Sequence, residues 1–166
     1  MKTIQIVRST AAALALSFAA VASANAQTTA TQTVTISAPK FAVLSFGAGV
    51  TLTVVSPTPG SEFAPVTAAG TWAATTNTTA AIVSAQLTGA NTLPAGMILN
   101  AALTVPAAAG TGTPQNLSAA ASVNVASITK AFFSAQPATY TLTAHAADGW
   151  VASTALTVTY TIAAGT

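Results

Sequence analysis

The feature that most constrains this chain is an alternation of apolar and threonine side chains without intervening charge, plainest in "ALTVTYTI" from Ala155 to Ile162. Successive side chains of a strand point to opposite faces. Such a run therefore sets Leu156, Val158, Tyr160 and Ile162 on one face and Thr157, Thr159 and Thr161 on the other. The same period of two organises "TATQTVTI" (Thr29 to Ile36), "VTLTVV" (Val50 to Val55) and "MILNAALTV", which aligns Met97, Leu99, Ala101 and Leu103. Alanines that could favour a helix are interleaved with β-branched residues and broken by Gly and Pro.

Turn signals divide these runs. "SPTPGSEFAP" is a break, because proline lacks the ladder donor and Gly60 can take positive φ. "TWAATTNTTAAIVSAQL" reads as a hairpin turning at Asn77 to Thr79, and "PAAAGTGTPQNLS" as a loop. "ATYTLTAH" and "STALTVTYTI" are separated by "AADGW", in which Asp148-Gly149 is a tight-turn signal. With "FAVLSF" and "ASVNVASI" the count comes to about seven to nine short strands, which predicts an all-β antiparallel sandwich. A membrane barrel fits poorly, since its lipid face should be bulky and girdled by aromatics, whereas these faces are largely Thr, Ala and Val.

Residues 1–26 have the parts of a secretory signal: Lys2 and Arg8, the apolar run "TAAALALSFAAVASA", and "ANA" before a cut ahead of Gln27. The expected organisation is this leader followed by one sandwich domain over 27–166, exported to the periplasm, the cell surface or beyond. Lys2 and Arg8 leave with the leader, so Lys40 and Lys130 then balance Glu62 and Asp148. A neutral chain without clustered cations is not expected to bind nucleic acid. No cysteine is present to form disulfides. A charged fraction of 4%, against about 25% in ordinary domains, leaves little repulsion between molecules and favours association.

Chemistry-bearing residues are few. His145, Asp148 and Ser153 supply the residue types of a hydrolytic triad, but no nucleophile elbow or oxyanion loop accompanies them, and Asp148 reads as a turn cap. No catalytic role is expected. One His, one Asp and one Glu without Cys make a poor metal set, and no cofactor is expected. Lys40 or Lys130 could join Asn77, Asn116 or Asn124 in an isopeptide bond assisted by Glu62 if buried together; otherwise both lysines are solvated strand-end charges. Trp72, Tyr140 and Trp150 could form an aromatic platform for a carbohydrate, or anchor the core. "NTT" at Asn77 and "NLS" at Asn116 match the glycosylation sequon and are read as loop residues.

In its leader, in the threonine-rich "TATQTVTI" that follows, in "TWAATTNTTAAIVSAQL" and in the terminal "LTVTYTI", the chain resembles small exported immunoglobulin-like β-sandwich proteins of bacterial surfaces, including fimbrial and pilin-type subunits. It departs from chaperone-usher pilins in lacking their cysteine pair. The resemblance implies a structural or adhesive surface protein in which an extended segment of one molecule completes the sheet of the next. Val34 and Ile36 would then belong to the donor, and Leu156, Val158, Tyr160 and Ile162 to the core or acceptor edge. The expected partners are copies of the chain or other surface proteins, with carbohydrate as the alternative and no transmembrane anchor after cleavage.

Overall fold

A computed structural model of the chain describes residues 31–89, 92–119, 121–149 and 152–165. The expected leader, the first two residues of "TATQTVTI" and Trp150 lie outside them. The chain divides into a leading unit, Met1–Ser37, and a body, Ala38–Thr166. In the leading unit, residues 31–37 join no sheet and are exposed, Val34 and Ile36 included.

Nine strands are described in the body: β1 (Ala42–Phe46), β2 (Val66–Thr76), β3 (Ala81–Thr88), β4 (Ile98–Leu103), β5 (Gly110–Gly112), β6 (Gln115–Asn116), β7 (Val123–Ile128), β8 (Phe132–Thr143) and β9 (Thr157–Ala163). They form two antiparallel sheets, β1-β2-β8-β4-β6 and β5-β7-β3-β9, as in a β-sandwich. No described helix is long and apolar enough to cross a membrane.

Alternation sets the inward faces. Trp72 and Ala74 of β2, Ala101 and Leu103 of β4, and Phe133 and Ala138 of β8 meet Ala81, Val83 and Ala85 of β3 and Val125 and Ile128 of β7. All are buried, and small alanines let the sheets close around the few large side chains. Trp72 packs edge-on against Phe133 at 4.9 Å and donates its indole N–H to the Thr104 carbonyl, 3.0 Å away.

Several local expectations are corrected. "TWAATTNTTAAIVSAQL" is not a hairpin, because β2 and β3 lie in different sheets. Between them the chain turns a corner held by buried Thr76 and Thr78, whose hydroxyls pair at 2.9 Å while that of Thr76 also donates to the Phe41 carbonyl. Nor do β8 and β9 pair; "AADG" forms a short 3-10 turn, Ala146–Asp148, on a crossing between sheets. The loop "PAAAGTGTPQNLS" contains β5 and β6, and its Leu117 is buried. "VTLTVV" joins neither sheet. β8 runs through Pro137 where its pairing with β4 ends: Thr104, one residue past β4, donates its N–H to the Pro137 carbonyl at 2.9 Å, and the Thr104 carbonyl accepts the Trp72 indole N–H, so it does not need the N–H that proline lacks.

Candidate assembly groove

The two flanks of the sandwich differ. On one, the chain crosses from β5 in the second sheet to β6 in the first through Thr113 and Pro114, with Leu117 buried beside it. Thr113 N–H donates to the Val125 carbonyl, and Leu117 N–H to that of Leu99, each at 2.8 Å. Gly112 is pressed so close to the Leu103 carbonyl that no Cβ would fit.

On the other flank the edges are β1 and β9, and no described strand lies beside β9 opposite β3. Their inward side chains are only half-buried: Leu44 and Phe46 on β1, and Val158, Tyr160 and Ile162 on β9. Phe46 and Tyr160 stack at 4.0 Å, and the Tyr160 hydroxyl donates to that of Tyr140, 2.9 Å away on β8. Burial first, and then the bond with Tyr140, push the Tyr160 hydroxyl far above the usual phenol range, so it stays a neutral donor. Above this contact the sheets part around a groove of about 1030 Å³, walled by Leu44, Phe46, Leu99, Leu142, Val158 and Tyr160. Residues Ala48–Val54, between β1 and β2, and Ala152–Leu156, ahead of β9, supply its remaining sides.

The structure thus brings Leu156, Val158 and Tyr160 together on the groove, as alternation alone placed them on one face. Ile162 continues that face and packs against the core. Phe46, Leu44 and the strap Val50–Val54 complete the groove; their alternation was visible, but nothing local said that they would face β9.

The other candidates fall elsewhere. Trp72 is buried at 1% exposure and cannot present a stacking face, which corrects its assignment to a carbohydrate platform. Tyr140 is half-buried on the groove wall. His145 and Asp148 form no triad: the Asp148 carboxylate accepts the His145 main-chain N–H at 2.6 Å, which caps the 3-10 turn. Glu62 accepts the Ala146 N–H at 2.9 Å and lies 3.8 Å from His145 Nδ1, tying the β1–β2 connection to this turn. Lys40, Lys130, Asn116 and Asn124 are exposed, so the burial that an isopeptide bond requires is missing at these positions. The Asn77 side chain instead clamps the start of β1, accepting from Phe41 N–H at 2.9 Å and donating to the Pro39 carbonyl at 2.7 Å.

No protein-family model, curated protein or solved structure matches this chain.

Proposed function

We propose that the chain is an exported structural or adhesive cell-surface protein of fimbrial type, an immunoglobulin-like sandwich that associates with copies of itself by strand addition. The observation that carries this reading is the open flank, where an uncharged edge strand borders a half-exposed apolar groove. Natural monomers usually block such edges with charge, proline or a covering loop. Here β9 carries only threonine, valine, tyrosine, isoleucine and alanine.

Strand order supports the immunoglobulin-like part of the reading. That fold faces a sheet ordered A-B-E-D with one formed by C, F and G. The run β1-β2-β8-β4 corresponds to A-B-E-D, and β3-β9 to C-F, with β5, β6 and β7 inserted between D and E. No described strand takes the G position beside β9. Thr29–Ile36 of a second molecule suits that position, since it is uncharged and alternates, with Val34 and Ile36 available for the groove. Main-chain hydrogen bonds would supply affinity and the alternate side chains register. Export rests on the leader-like composition of residues 1–26.

Light scattering after size exclusion, with negative-stain microscopy, tests this on protein beginning at Gln27. Regular oligomers or filaments that disappear when Thr29–Ile36 is deleted are expected. A compact monomer at high concentration, retained on a polysaccharide matrix, would overturn the assembly reading in favour of a carbohydrate-binding module.

A further inference from the structure

Residues 47–65 connect β1 to β2 as a long strap, and its middle repeats the pattern of the proposed donor. Thr51-Leu52-Thr53-Val54 reads threonine, apolar, threonine, apolar, as does Thr33-Val34-Thr35-Ile36. Val50, Leu52 and Val54 are half-buried on the groove, while Thr51 and Thr53, which also border it, are exposed. A strand-like alternation is therefore present without strand pairing, because this segment joins neither sheet.

Both ends of the strap are fastened. Gly47 N–H donates to the Thr71 carbonyl at 2.8 Å, and Val50 packs over Gly70, where an added Cβ would lie 3.3 Å from its methyl. At the far end Glu62 holds the 3-10 turn through the Ala146 N–H. Pro57 and Pro59 remove ladder donors from the stretch between, and Pro65 does so just before β2. Such a segment shields apolar surface without the main-chain bonds that an added strand would make.

We infer that the strap Val50–Val54 is a resident stand-in for the donor, its apolar side chains lying along one side of the groove in the unassembled molecule and giving way when the segment Thr29–Ile36 of a second copy pairs with β9. This deepens the assembly reading and rests on it. The physical basis is competition for one apolar surface. A covered groove lowers the apparent affinity by the fraction of molecules that are open. The incoming segment prevails because it adds ladder hydrogen bonds to a burial that the strap achieves only in part. Loosening the strap should therefore strengthen donor binding, whereas truncating a side of the groove held in a sheet, such as Phe46, should weaken it.

The test uses the full chain carrying V34D and I36D, so that it cannot donate, and a synthetic peptide of residues 29–36 measured by calorimetry. Leu52→Ser removes the central strap contact, and Glu62→Ala removes the acceptor of the far tether while leaving the apolar side chains of Val50–Val54 in place, which keeps the test valid if the first variant folds poorly. Each is expected to bind the peptide more tightly, Leu52→Ser by about tenfold. In a third sample, Leu52→Cys carrying an environment-sensitive dye should shift to the red as peptide binds. Binding by the parent and no binding gain in either variant, with an unshifted dye, would overturn the strap while leaving the assembly reading standing. Failure of all three proteins to bind the peptide would overturn both. Binding only after the strap is loosened would support both.

Discussion

The two flanks of this sandwich solve the same problem in different ways. Where β5 and β6 meet, one continuous stretch of chain passes from sheet to sheet, and main-chain bonds from Thr113 and Leu117 fasten it. Where β1 and β9 face each other, the sheets are bridged by the rings of Phe46 and Tyr160 and by a tyrosine hydroxyl pair. Leu117 on the first flank is buried, as are the side chains of the centre, whereas the inward side chains of the second flank are half-buried. A sandwich closed on one flank can be stable enough to fold and still keep apolar surface for another strand. On the proposed assembly, stability and association would fall to different regions of one small core.

That separation can be broken or sharpened by substitution. Trp72→Ala strikes the buried centre and should lower unfolding free energy by about 3–5 kcal/mol, read from denaturant midpoints. Thr76→Val keeps the shape of the corner but takes the donor from the Phe41 carbonyl, and should cost about 1–3 kcal/mol by the same measurement. On the open flank Leu44→Ala removes a side chain that is already half-exposed, so a loss of about 1 kcal/mol is expected. Equal losses for Trp72→Ala and Leu44→Ala would erase the contrast between the two regions.

A smaller effect belongs to alkaline solution. The folded state holds Tyr160 neutral above its unfolded value, so the associated stability is fully present below about pH 10 and declines as pH rises further. Tyrosinate absorbance from a Tyr140→Phe protein, in which Tyr160 is the remaining tyrosine, should rise together with loss of β circular dichroism rather than before it. The smallest stability change is expected from Thr161→Lys, an outward position on the exposed edge, within about 0.5 kcal/mol of the parent. Its effect should be read in association, where a charge on the edge should abolish the oligomers that the assembly proposal expects in light scattering.

How much of this was legible in the sequence depends on whether a residue's role is local. Alternation placed Val158, Tyr160 and Ile162 on one face of β9, and Leu99, Ala101 and Leu103 on one face of β4. It gave faces but not partners. The corner between β2 and β3 carries turn residues that a hairpin would also use, and only the burial of Thr76 and Thr78 distinguishes the two. Asp148-Gly149 was a sound turn signal, yet the turn crosses between sheets. Leu117 looked like part of a polar loop because its burial comes from the stitched flank around it, 14 residues or more from β4 in the chain. Val50–Val54 had the period of a strand, but strand pairing needs a neighbour, and the prolines that follow leave the segment as a covering. In Trp72 the sequence offered either a platform or an anchor, and only packing decided between them.

The shortness of β5 and β6 has a consequence for architecture at the scale of many molecules. Edges of three and two residues, with Gly110 and Gly112 jammed against main-chain carbonyls, offer no length for another strand to grip. If the groove takes the segment Thr29–Ile36 of a second copy as proposed, the chain is, in polymer terms, a bifunctional monomer with unlike ends. Linked through those ends, such units give unbranched, directional chains whose two termini differ chemically, and whose length a molecule lacking either end would limit.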